Sequence, residues 1–214
     1  MPAASGLPLG AHADVPHDSG REVDRWCVRH GHACVVYVPT PQKIVDQMLA
    51  VANLQANDVL YDLGCGDGRI VVTAAKEYGV HAVGFDIDPD RVSEARENVR
   101  RAGVENLATI EQRDVFKVDL SPASVVTVYL LPRLNVRLVP QLEKLSAGTR
   151  IISHDFDIEG AIPAGTWWTT ASYFGRRNEL YDASAPEDEA HYEQVEHKVY
   201  LWVTPLKWEG EADR

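Results

Sequence analysis

The sequence predicts a doubly wound α/β sheet that ends in an antiparallel hairpin, and three observations predict it. Short apolar runs alternate with stretches of helical periodicity between residues 59 and 154. A glycine-rich loop leads straight from the first apolar run into a helix, as at the start of a βαβ unit. Two strand-like runs near the C-terminus flank a polar, acidic stretch, the pattern of a hairpin with a long loop.

The elements follow in chain order. Residues 1–33 are rich in Pro, Gly, His and charge and read as a flexible extension; 34–208 hold the domain, and 209–214 form a disordered tail. Thr40 before Pro41 reads as an N-cap ahead of a helix on which Ile44, Val45, Met48, Val51 and Ala52 share a face. VLYDL (59–63) is a strand, GCGDG (64–68) a loop, and 70–78 a helix. AVGFD (82–86) is the second strand, 90–102 a helix, LATIE (107–111) the third strand, and the almost uniformly apolar VVTVY (125–129) the fourth. A helix over 134–145, stopped by Gly148, precedes RIISH (150–154). WWTTASY (167–173) and KVYLWVT (198–204) bring the strands to seven.

A length of 214 residues suits one domain with extensions. Hydrophobic residues at 45% and charged residues at 25% exclude collagen, coiled coil and wholesale disorder. The longest nearly continuous apolar stretch, 125–131, falls far short of the roughly 20 residues a membrane helix needs, so no membrane partner is expected. The first 30 residues lack a signal peptide's apolar segment and the cysteines number three, so a cytoplasmic location is expected. With 21 basic against 32 acidic residues the net charge is −11, which repels nucleic acid and attracts basic partners such as lysine-rich proteins.

The chemistry centres on Asp62-Leu63-Gly64-Cys65-Gly66-Asp67-Gly68. Glycines there let the backbone turn tightly and approach a ligand, and the helix that follows offers amide groups at its start. The second strand ends in Asp86, 24 residues beyond Asp62, where this topology presents an acid to ribose hydroxyls. A dinucleotide fingerprint needs glycine at position 69, and Arg69 stands there. S-adenosylmethionine (SAM) fits better: its amino and carboxylate groups suit a carboxylate and loop amides, and it carries no diphosphate to neutralise. Asp114, after the third strand, would meet the adenine amine.

D-x-G-x-G-x-G followed by a ribose acid resembles the class I SAM-dependent methyltransferases, whose Rossmann-like seven-stranded sheet ends in such a hairpin. YVPTP (37–41), YDLGCGDGRIVVTAAK (61–76), VGFDIDP (83–89), VVTVYLL (125–131), LVPQLEKLSAGTRIISHDFDI (138–158) and VYLWV (199–203) resemble the archaeal broad-specificity protein lysine methyltransferases and, more loosely, the lysine methyltransferases that modify the c-ring protein of ATP synthase. The resemblance covers about 37–203 and implies methyl transfer from SAM to lysine Nε of proteins. A small-molecule methyltransferase and a SAM-binding sensor without turnover are the rival readings. Implied cofactor contacts are Tyr37, Pro39, Thr40, Asp62, Gly64, Gly66, Asp67, Gly68, Asp86, Ile87, Asp114 and Val115. Tyr129 and Tyr37 are the candidates to orient the amine, in a channel where burial and the sulfonium keep it neutral. Nucleic-acid and glutamine methyltransferases often carry Asn/Asp-Pro-Pro-Tyr after the fourth strand; here Val128-Tyr129-Leu130-Leu131-Pro132 stands instead. The acidic insertion over 174–197 is longer than in the archaeal pattern and leaves the substrate open.

Three further groups carry weaker signals. Cys27, His30, His32 and Cys34 have the chemistry of zinc ligands but an unorthodox spacing in the extension, so no metal is expected there. His154, Asp155 and Asp157 could flank the channel or hold a cation, with a structural role preferred. Cys65 reads as a space-filling residue without a partner base.

Overall fold

A computed structural model of the chain describes residues 37–174 and 192–210. The helices and strands run α1 (Gln42–Ala52), β1 (Val59–Leu63), α2 (Arg69–Tyr78), β2 (His81–Asp86), α3 (Pro89–Ala102), β3 (Ala108–Gln112), β4 (Val125–Val128), α4 (Pro132–Leu142), β5 (Arg150–His154), β6 (Gly165–Phe174) and β7 (Tyr192–Val203). A 3₁₀ turn over Val115–Lys117, which the sequence did not announce, follows β3. The seven strands lie in the order β3-β2-β1-β4-β5-β7-β6. The first five are parallel, and β7 runs antiparallel to both β5 and β6. The predicted sheet with its C-terminal hairpin is therefore the observed one.

Alternation along each strand divides the core into two layers. Leu60, Val125 and Ile152 face α1, α2 and α3, packing against Met48, Val71 and Val92. Val126, Ile151 and Trp202 face the other way, against Leu138 and Leu142 of α4. The chain winds outward from β1 through β2 to β3, then returns to β4 on the other side of β1. That reversal opens a crevice at the carboxyl ends of β1 and β4, where open α/β sheets bind ligands.

Two boundaries differ from expectation for identifiable reasons. Pro41, not Thr40, is the N-cap of α1, and it makes no side-chain cap; the Thr40 hydroxyl instead lies 3.2 Å from His154 Nδ1, a partner 114 residues away. Helix α4 begins at Pro132 rather than at 134, because proline needs no amide partner in a first turn. It stops at Leu142, where Lys144 and Leu145 fold back onto the carbonyls of Gln141 and Leu142. Arg150 joins the front and back of the domain, its guanidinium donating to the carbonyls of Ala52 and Asn53 and to Asp58.

The expected extension 1–33, with Cys27, His30, His32 and Cys34, lies outside the described residues, as does most of the acidic insertion. Its last six residues, 192–197, belong to β7. Of the expected tail, the Glu209 amide donates to the Gly160 carbonyl, and 211–214 lie outside the description. Among the described residues no helix is long and apolar enough to cross a membrane.

Candidate functional site

The crevice has two walls, and the glycine loop forms the first. Gly64, Gly66 and Gly68 hold φ values of +82°, +53° and +78°, the left-handed region that side chains resist. Gly66 is the most constrained: a Cβ there would sit 2.2 Å from Cε2 of Tyr37. The segment 37–40 thus lies directly on the loop. Arg69, which sequence reasoning used only to reject a dinucleotide fingerprint, holds it in place. Its guanidinium grips both carboxylate oxygens of Asp67 and donates to the Thr40 carbonyl at 2.7 Å. Arg91 lies over the Tyr37 ring, 4.8 Å from its centroid. Burial, then the Asp67 charge, push the Tyr37 phenol well above its ordinary pKa, so it stays protonated.

Carboxylates gather around this loop. Asp62 is 2% exposed and accepts a bond from the Thr127 hydroxyl at 2.8 Å. Burial, reinforced by the charges of Asp86 and Asp67, pushes its pKa up to about 7. Asp86 spans the turn: Oδ2 accepts from the Gly66 amide at 2.9 Å and Oδ1 from the Asp88 amide at 3.0 Å. Several amides that the sequence offered to a ligand are therefore spent on shaping the loop, including those of Gly64 and Cys65, which donate to the Phe85 carbonyl. Each carboxylate oxygen of Asp86 keeps lone-pair capacity for a further donor. Asp114 caps the 3₁₀ turn through the Phe116 amide and pairs with Lys117 at 3.3 Å. Next to Asp86, the Ile87 side chain is 54% exposed. Val115 packs on the second core layer instead. Cys65 is buried, its thiol pKa raised by that burial, and its Sγ would meet a Cβ on Gly84 at 2.8 Å, in keeping with space-filling.

This donor set fits SAM and disfavours a diphosphate. Clustered acids that hold one another's pKa values up are relieved by a cation, and SAM brings a sulfonium and an ammonium. The close approach of Gly66 leaves no room for any side chain in the loop.

The second wall is aromatic. The Tyr129 ring stacks at 3.9 Å on His154 and at 5.8 Å on Phe156. Burial pushes the His154 pKa down to about 4, so the imidazole is neutral. Behind it, His197 of β7 approaches both His154 and Asp155. Asn135 donates to the carbonyl of Asp157, yet its Oδ1 is buried and finds no donor. Asp157 joins this wall through its backbone, not its carboxylate. Sequence reasoning missed His197 and Asn135. His197 shares the inward phase of Val195 and Val199 in β7, a legible signal, since a histidine on an apolar phase needs polar company. The structure brings Tyr37, Thr40, Asp62, Asp67 and Asp86 together around the glycine loop, and sets Tyr129 on the His154 side.

The comparisons agree with this arrangement. The family model of the ANTKMT methyltransferase domain matches residues 62–165. A protein-lysine N-methyltransferase from Saccharolobus islandicus is 50% identical over 131 residues, covering 60% of this chain and 81% of the relative. The mouse lysine N-methyltransferase of the ATP synthase c-ring protein is 36% identical over 124 residues, 58% of this chain, and this chain spans about half (49%) of its length. A solved RNA methyltransferase from Salinibacter ruber, in complex with S-adenosyl-L-homocysteine, superposes with a TM-score of 0.65 at 42% identity, over 83% of this chain and 100% of that one. With its strand order, glycine loop and ribose acid all in place, the chain belongs to the class I SAM-dependent methyltransferases, closely related to the archaeal protein-lysine N-methyltransferase.

Proposed function

We propose that the chain binds SAM in the crevice at the carboxyl ends of β1, β2 and β4 and methylates lysine Nε of proteins, working as a cytoplasmic enzyme. The observation that carries this reading is the 50% identity to the Saccharolobus protein-lysine N-methyltransferase across 81% of that enzyme. Bound SAM supplies the activated methyl group. Asp86 receives the ribose hydroxyls, Asp62 faces the amino group, Asp114 lies toward the adenine amine, and the exposed Ile87 covers an adenine face. Tyr37, Pro39 and Thr40 close over the bound cofactor.

In-line displacement at a methyl group is served mostly by alignment and water exclusion. The residues on the second wall provide both. Tyr129, fixed between His154 and Phe156, orients the incoming amine. The apolar, neutral surroundings favour the uncharged amine over its ammonium form, which lowers the lysine pKa from about 10.4. No side chain need take the proton in the transfer step.

RNA is the second reading, because the Salinibacter relative is described as an RNA methyltransferase. The net charge of −11 and the absence of Asn/Asp-Pro-Pro-Tyr after β4 weigh against it. The test is incubation with methyl-labelled SAM and, separately, host proteins, host RNA and a protease-digested filtrate. Label on protein lysines, lost in an Asp86→Ala variant, is the expected result. Label confined to RNA or to the small-molecule filtrate overturns the lysine reading, and binding without transfer makes the chain a sensor.

A further inference from the structure

Behind Tyr129, three side-chain atoms from two strands converge on one point. His154 Nε2 lies 3.0 Å from His197 Nδ1, His197 Nδ1 lies 2.9 Å from Asp155 Oδ2, and His154 Nε2 lies 3.3 Å from the same oxygen. His154 is fully buried, His197 is 2% exposed, and Asp155 is 26% exposed through its side chain.

Protons cannot satisfy this triangle. An N–H on each ring would let both histidines donate to Asp155, but the two hydrogens would then face each other across the 3.0 Å His–His edge. A single N–H leaves one edge with two lone pairs opposed, at 2.9 Å if His154 carries the hydrogen and at 3.3 Å if His197 does. Moving the proton to the carboxylate oxygen likewise leaves at least one edge bare. A cation among the three atoms satisfies every edge at once, because each then directs a lone pair inward.

The dimensions agree. The point equidistant from the three atoms is about 1.8 Å from each, so an ion roughly 1 Å off their plane would sit at the ~2.0–2.1 Å that zinc keeps to nitrogen and oxygen ligands. The supporting contacts are those of metal ligands as well. Asp155 Oδ1 accepts the Lys198 amide at 2.9 Å, turning Oδ2 toward the histidines, and His154 Nδ1 meets the Thr40 hydroxyl at 3.2 Å. Asp155 also holds φ = +57°, one of two non-glycine residues with positive φ among the described residues; the other, Asn53, ends a helix. Such a conformation persists where surrounding contacts impose it, which is frequent at functional sites.

We infer that His154, Asp155 and His197 form a binding site for a divalent transition ion of the zinc class. Two imidazoles and one carboxylate are the donor set of three-ligand zinc and iron(II) sites, which leave a position open to water or a substrate group. The sequence left a cation reading for His154 and Asp155 in second place; β7 supplies the third ligand in His197, where Asp157 had been the candidate. The ion would fix the His154 ring under Tyr129 and, through Thr40, the segment that lies on the glycine loop.

The test uses the full chain, stripped with a chelator, dialysed and titrated with Zn²⁺ and then with Co²⁺. The expected result is one bound ion per chain and a visible cobalt spectrum of a nitrogen- and oxygen-ligated site of low coordination number. His197→Gln and Asp155→Asn are expected to weaken binding at least about 100-fold, whereas a Cys27→Ser/Cys34→Ser variant keeps it. Absence of stoichiometric metal in the folded wild-type chain overturns the site. So does a thiolate-to-cobalt charge-transfer band lost with the cysteines, which would move the ion to the N-terminal residues. Should both ligand variants fail to fold, the wild-type cobalt spectrum decides alone: no change from hydrated Co²⁺ overturns the proposal.

Discussion

The two walls of the crevice are opposite in character. The β1–β2 wall is built from carboxylates and glycines held by neighbours close in sequence, as where Asp86 bonds Gly66 and Asp88. The β4–β5 wall is built from rings held by contacts across the whole chain, Thr40 to His154 and His154 to His197. One wall concentrates negative charge and so fits a ligand that arrives positive. The other is neutral and desolvated, and so fits an amine that must shed its charge before it reacts. A single crevice can thus hold a cation and a neutral nucleophile side by side.

The largest expected effect breaks the first wall. Gly66→Ala places a methyl group against the Tyr37 ring at a left-handed φ, and strain of about 1–3 kcal/mol is expected to weaken SAM binding by roughly tenfold to a hundredfold. Calorimetric titration checks this, and unchanged affinity would mean that the segment 37–40 does not lie on the loop in solution.

The pH dependence sharpens the contrast. Asp62 is held near 7, above the ~3.9 of an unfolded aspartate, so the ligand-free fold favours its protonated form and loses stability as pH rises from about 4 to about 7. A cationic ligand needs the ionised form. SAM affinity is therefore expected to fall as pH drops below about 7, by up to about tenfold per unit, and to flatten in Asp62→Asn. Binding that tightens toward acid would break the charge assignment of this wall. The smallest effect lies on the other wall: Tyr129→Phe keeps the stack on His154 and removes one hydroxyl, so kcat is expected to fall about tenfold, the cost of one hydrogen bond to an amine, with SAM affinity unchanged. Unchanged kcat and substrate preference would leave Tyr129 as packing alone.

The same division decides what could be read from the sequence. The strand, loop and helix around Gly64–Gly68 were legible because each step is local: apolar alternation, glycines at left-handed positions, and an acid at the end of the next strand. Asp62 and Asp86 were found for that reason. Thr40 was misread as a cap because its actual partner is His154, which no local pattern reveals. Arg69 counted only as a missing glycine, since its role depends on the Thr40 carbonyl lying nearby. His197 went unnoticed because its strand was expected to begin one residue later, and its neighbours come from β5. Asn135 gave no signal, because only burial turns an exposed-looking helix residue into an acceptor without a donor.

Cys65 gives the glycine loop a property of its own. Its sulfur is enclosed between the loop and Gly84, and burial disfavours the thiolate on which alkylation depends. The thiol can react only while the loop is displaced from the sheet. Its modification rate therefore counts the excursions of the loop, and a cofactor seated on the glycines would slow that clock from inside the binding site, without any introduced label.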